Sequence, residues 1–132
     1  MNLEERGPGF AAFWTERHLA TLTTLRADGT PHVVPVGVTL DVARGVARVI
    51  TSGDSLKARL VATNAGAEGA PVAVCQVDGR RWSTLEGRAV VRDTPEQVAS
   101  AEAAYTDRYK PPRDNPRRVV IEITVTRVKG NA

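Results

Sequence analysis

The 132-residue sequence holds one cysteine, Cys75, and two histidines, His18 and His32. A lone cysteine excludes a disulfide framework, and so few ligands make a zinc site of the usual His/Cys kind unexpected. No apolar run approaches the ~18 residues of a membrane span. The first ten residues, MNLEERGPGF, carry acids where a signal peptide carries bases. A soluble, cytoplasmic chain with no membrane partner is therefore expected. Aromatic residues are only 5% of the chain and the net charge is only +3. That is too little stacking surface and too little charge to suggest nucleic-acid binding. No GxGxxG, P-loop or GxSxG pattern occurs. Lysine is scarce too: Lys57, Lys110 and Lys129 stand against fifteen arginines. A GC-rich genome would give the same bias, but arginine's planar fork also suits phosphate and carboxylate.

What is present reads mostly as strands of a single domain over residues 1–132. HLATLTTLR (18–26) is rich in Thr and Leu and runs into Asp28-Gly29, a hairpin signal. The next strand spans His32 to Leu40. Val34, Val36, Val38 and Leu40 form its bulky side, while Pro35, Gly37 and Thr39 make a shallow one. A shallow face admits a flat ring close to backbone; an edge strand protected by Pro and Gly would look the same. Further strands are expected at 46–51, 71–77, 84–92 and 119–125. Short helices are expected at 10–17, after Ser55 with Leu56, Leu60 and Val61 inward, and from the Thr94 cap with Val98, Ala101 and Tyr105 inward. Three prolines keep Lys110 to Arg118 extended. Six strands with short helices make a small, mainly antiparallel β-barrel.

Three segments could carry chemistry. In Thr51-Ser52-Gly53-Asp54-Ser55-Leu56-Lys57-Ala58-Arg59 a strand ends in a polar turn and a helix begins. Free N–H groups, hydroxyls and a cation converge there, as an anion site requires; an ordinary capped helix is the plainer alternative. In the second segment, Gln76 to Trp82, Trp82 offers a flat face with one N–H donor beside Arg81, or simply closes the barrel. The third is the basic loop from Lys110 to Arg118, which could clamp a polyanion or merely be solvated. His18 and His32 are expected as structural strand residues and Cys75 as inert.

The ordered blocks HLATLTTLRADGTPHVVPVGVTLD, ARVITSGDSLKAR, VCQVDGRRWSTLEGRAVV and RYKPPRDNPRRVVIEI resemble the split-β-barrel flavin and deazaflavin oxidoreductases, the group of pyridoxamine 5′-phosphate oxidase. The resemblance covers residues 10–130 and is strongest to the branch that binds the deazaflavin coenzyme F420, including its biliverdin reductases. It implies a six-stranded split barrel, a homodimer with cofactor sites between the two barrels, and hydride transfer to a flat conjugated small molecule, biliverdin first. By the same resemblance, Val33, Val34, Pro35, Val36 and Gly37 line the deazaflavin ring. Thr51, Ser52, Ser55 and Lys57 hold the phosphate and ribityl region, with Arg59 close by. Gln76, Val77, Asp78 and Trp82 flank the ring or come from the partner subunit. Arg81, Arg113 and Arg117 lie near the coenzyme tail or substrate carboxylates. An FMN enzyme of the same fold and a non-catalytic coenzyme or tetrapyrrole carrier are the alternatives. No side chain stands out as a proton donor, so a bound water or an arginine-polarised group is expected.

Overall fold

Alternating aliphatic and polar residues form seven strands, and the computed structural model describes every residue from Met1 to Ala132. After a short 3₁₀ turn at Glu4–Arg6, the order is α1 (Pro8–Thr15), β1 (Ala20–Leu25), β2 (Pro31–Val36), β3 (Thr39–Asp41), β4 (Val46–Ser52) and α2 (Leu56–Asn64). Then come β5 (Ala70–Asp78), β6 (Arg81–Arg92), α3 (Pro95–Arg108) and β7 (Arg118–Gly130). The third helix starts as its sequence predicts. Thr94 Oγ1 accepts from the Gln97 amide, Pro95 opens the first turn, and Ala101 is buried. In α2, Ala58 and Val61 carry the buried face, whereas Leu56 is 40% exposed, so the inward face is rotated from the expected one. No helix is long and apolar enough to cross a membrane.

All pairings are antiparallel, in the order β2-β1-β5-β6-β7-β4-β3. The single strand expected over 32–40 is in fact two, broken at Gly37-Val38, and the sheet has seven strands instead of six. The break has a topological consequence. Strands β2 and β3 occupy opposite edges of the sheet order yet are joined by two residues, so the sheet must curl until its edges meet. They meet without a ladder between them, which makes the barrel a split one. His18, expected in a strand, lies in the link between α1 and β1.

The barrel interior is filled by Leu22, Val36, Val38, Val49, Val74, Leu85, Ile121, Ile123 and others of one contiguous cluster, with Phe10 and Trp14 of α1 joined to it. Burying one such side chain is worth about 1.5–3 kcal/mol. The 13-residue β7 also buries Val120, on the face opposite Ile121, where α3 packs on β4 and β7. Beside it, the ladder between β6 and β7 slips at Glu86/Gly87. A Cβ at Gly87 would run into the Thr124 carbonyl oxygen, so glycine is what lets the two backbones approach there.

Candidate functional site

One cleft of about 490 Å³ opens where the sheet edges meet. Its floor is the end of β2 (Pro35, Val36) with Gly37 of the break, and one wall is the end of β4 with the first turn of α2 (Ile50, Thr51, Ser52, Lys57). The other wall is Tyr105 of α3 with Lys110, Pro111, Pro112, Arg113, Asn115 and Arg118 of the following loop. The loop is extended because its prolines cannot enter a helix. It is tied down at its middle and its C-terminal end: Gly53 N–H donates to the Arg117 carbonyl (2.8 Å), and Arg118 reaches Glu102 Oε2 and the Arg113 carbonyl, both at 2.6 Å. Arg118 is nearly buried in this role.

Charge in the cleft is one-sided. Lys57, Lys110 and Arg113 all line it, and none forms an ion pair; each of the chain's seven ion pairs uses other residues. Burial pulls the Lys57 ammonium below the ordinary lysine range. An uncompensated cation in the first turn of a helix also opposes the helix dipole, so an anion placed there is favoured twice. The nearby hydroxyls are already partly engaged. Ser55 Oγ caps α2 by accepting from Ala58 N–H (3.3 Å) and lies 3.1 Å from Thr51 Oγ1. Ser52 Oγ donates to Asp54 Oδ1 at 2.6 Å. That bond, and then Arg117, holds the Asp54 carboxyl below its usual range.

The shallow face at Gly37 is filled by the protein's own rings. A Cβ there would lie 2.8 Å from Tyr105 Cε2 and 3.2 Å from Tyr109 Cε2, and the two rings sit 4.9 Å apart. Behind them lies a buried polar hub. The strand break strands the backbone of Val38, which is fully buried, outside any ladder. Side chains from α3 replace the ladder. Tyr109 Oη accepts from Val38 N–H (3.0 Å) and donates to the His18 carbonyl (2.6 Å), and Arg108 Nη1 donates to the Val38 carbonyl (2.6 Å). Arg108 also donates to the Glu16 carbonyl (2.9 Å), the Phe13 carbonyl (3.4 Å) and Gln76 Oε1 (2.6 Å). Every acceptor is neutral, and burial lowers the guanidinium's pKa. Burial likewise raises that of Tyr109.

Of the residues expected from sequence, Pro35, Val36, Gly37, Thr51, Ser52, Lys57 and Arg113 come together in the cleft. Ser55 stands just behind it as the helix cap, and Arg59 is exposed outside it. Val33 points outward, 54% exposed, and Val34 packs against the core. Gln76 is wholly enclosed: its Nε2 donates to the Phe13 carbonyl (2.8 Å) and its Oε1 accepts from Arg108. Val77, Asp78, Arg81 and Trp82 form the far hairpin, away from this cleft, with Arg81 bound to Asp78 (2.7 Å) and Glu16 (3.0 Å). Arg117 turns outward to Asp54 (3.0 Å). Sequence reasoning did not reach Ile50 or Tyr105 as site residues, and it reached Asn115 and Arg118 only as part of the basic loop. The periodicity of α3 marked Tyr105 as inward-facing, but a helical period does not separate a core position from a cleft wall.

Fold and cleft together define a split β-barrel with a cationic pocket at its seam. The family model described as pyridoxamine 5′-phosphate oxidase matches residues 8–132, and the chain belongs to that family. The sequence is 55% identical over 121 residues to the "F420H(2)-dependent biliverdin reductase" of Mycobacterium tuberculosis (strain CDC 1551 / Oshkosh), covering 92% of this chain and 85% of the relative. Among solved structures, an "F420 Reductase" superposes with a TM-score of 0.73 at 23% identity, covering 93% of this chain and 98% of that one. General Stress Protein 26 of Bacillus anthracis str. Sterne gives 0.72 at 19% identity, with coverages of 98% and 94%. At these identities the two structures speak for the fold.

Proposed function

We propose that this protein is an oxidoreductase that binds reduced coenzyme F420 and passes a hydride to a flat conjugated acceptor, biliverdin first. The cleft carries the reading. Three cations without carboxylate partners surround a floor of strand backbone, a setting that fits a flat ring bearing a phosphate and acidic tail. The 55% identical relative favours the deazaflavin over FMN. When bound, the coenzyme supplies the hydride; the protein binds and orients it and provides the electrostatics. Lys57, in the first turn of α2, would hold the phosphate; the Gly53 and Ser55 N–H groups of the preceding turn already donate to the Arg117 and Ser52 carbonyls. Lys110 and Arg113 would face the acidic tail or the substrate's carboxylates. Mixing the purified protein with reduced coenzyme and biliverdin should replace the biliverdin absorbance with that of bilirubin. Coenzyme binding without any such change would remove biliverdin as the substrate.

The active unit is a homodimer in this reading. Directly paired residues share a face of a sheet, and the outward face of β2-β1-β5-β6 carries the rows Val33, Thr23, Ala73, Glu86 and Pro35, Thr21, Cys75, Thr84, followed by Val77 and Trp82, with Glu86 paired to Lys129. Val77 is 65% exposed and Trp82 is 40% exposed, a large apolar presentation for a small domain. Pro35 belongs both to this face and to the cleft, so a second copy seated here would border the cleft. Val77, Asp78, Arg81 and Trp82, remote from the cleft of their own protomer, are then available to its partner's. Val33→Glu should convert the protein from two-chain to one-chain mass in light scattering and weaken coenzyme binding in parallel. A dimer that persists unchanged would move the interface elsewhere.

A further inference from the structure

We infer, on the strength of the proposed reductase reading, that Tyr105 is the proton donor of the reaction. Reducing a methine bridge of a conjugated tetrapyrrole needs a hydride at carbon and a proton at nitrogen, and the cleft contains few groups that can release one. No Asp, Glu, His or Cys lines it. Arginine keeps its proton throughout the working pH range. The Ser52 hydroxyl is committed to Asp54, and Thr51 Oγ1 lies against Ser55 Oγ. Lys57 is engaged with the phosphate in the proposed reading, and Lys110 is an exposed ammonium on an extended loop.

Tyr105 differs from all of these. Its ring is fixed, because it rests against Gly37 where a single Cβ would displace it, and it packs on Tyr109. Tyr109 is in turn immobilised by bonds to Val38 and His18. The two tyrosines divide the work. The Tyr109 hydroxyl both donates and accepts inside the chain, whereas the Tyr105 hydroxyl bonds no protein group and is open to solvent, on a residue that lines the cleft. A held ring with an uncommitted O–H on the cleft wall is the kind of group that can act as a general acid. The acceptor takes up the hydride with its electron pair at carbon. As the new N–H bond forms, the Tyr105 O–H bond breaks, and water at the open mouth of the cleft returns the proton to the phenolate. Lys57, Lys110 and Arg113, which line the same cleft, favour the transient negative charge.

The chain contains only two tyrosines, so uniform labelling with 3-fluorotyrosine gives two fluorine resonances, assignable with Tyr105→Phe and Tyr109→Phe. Biliverdin added to protein holding the oxidised coenzyme, where no turnover occurs, should move the resonance of Tyr105 and leave that of Tyr109. Movement of neither, or of Tyr109 alone, would overturn the assignment. In the second arm, Tyr105→Phe should lower kcat for biliverdin on the order of a hundredfold, with coenzyme affinity, read by fluorescence quenching, within twofold of wild type. A kcat within threefold of wild type, or a parallel loss of coenzyme binding, would refute the role. Wild-type protein that binds the coenzyme but never reduces biliverdin would instead defeat the functional reading, a separate outcome. If Tyr105→Phe melts below the assay temperature, the fluorine measurement on the intact chain decides.

Discussion

Replacing Arg108 by methionine is expected to destabilise the fold by about 2–4 kcal/mol, since neutral buried acceptors left unpaired cost ~1–3 kcal/mol each. The total stability of a domain this size is only about 5–15 kcal/mol. Arg108 is 8% exposed, and its guanidinium donates to the backbone carbonyls of Phe13, Glu16 and Val38 and to the side chain of Gln76. Methionine fills a similar volume but donates nothing, so the Glu16 carbonyl and Gln76 Oε1 are left without a partner, while the Phe13 carbonyl keeps Gln76 Nε2 and the Val38 carbonyl keeps Tyr109 Oη. Its ring contacts go too, since the guanidinium carbon lies 5.7 Å from the centre of the Trp14 ring and 5.3 Å from that of Tyr109. Arg108→Lys should recover only part of the loss, because one ammonium cannot span a fork's set of acceptors. The measurement is urea unfolding followed by tryptophan fluorescence. A shift below about 1 kcal/mol for the methionine variant, the net worth of one ordinary hydrogen bond, would mean that the hub is not what closes the barrel's split.

The second large effect is functional. Lys57→Ala should weaken coenzyme binding by about 1–3 kcal/mol, roughly 5- to 150-fold, the loss of one charge-assisted contact to phosphate. Its pH dependence follows from the lowered pKa of Lys57 in the free protein, which burial causes. A bound anion stabilises the ammonium and brings its pKa back up, so binding takes up a proton wherever the free lysine is partly neutral. Affinity is therefore highest below the lowered pKa, falls as pH rises through it, and levels off above the restored value. In Lys57→Ala that alkaline fall should flatten. Calorimetric titration across the alkaline range checks both points. An affinity unchanged by the substitution would place the phosphate elsewhere in the cleft.

Much of the fold is legible locally. Alternation within β5, β6 and β7, the Thr94-Pro95-Gln97 helix start and the turns at Asp28-Gly29 and Gly79 each depend on a few adjacent residues, and the structure has them where the pattern puts them. The wall of the cleft that carries Lys57 is equally local, since Thr51, Ser52 and Lys57 fall within one strand-turn-helix step. The break at Gly37-Val38 was not legible, because alternation runs straight through it. What ends the strand there is packing by Tyr105 and Tyr109, some seventy residues further along the chain. Gln76, which the family resemblance places beside the ring or at the partner's site, is enclosed within its own chain for a related reason. Only the position of Arg108 reveals that its amide is enclosed.

By itself the sequence therefore determined the elements, their β-rich class, the family likeness and the short segment that concentrates positive charge. All of these arise from propensity and patterning over a few neighbouring residues. Only the tertiary structure decided that the sheet closes on itself at a seam, that Arg108 and Tyr109 satisfy the backbone left there, and that Tyr105 reaches the cleft while Gln76 and Arg117 do not. Those outcomes depend on which distant groups meet in space. A buried N–H or carbonyl must find a partner wherever the chain can supply one, and that demand appears only once the fold has placed it out of reach of water.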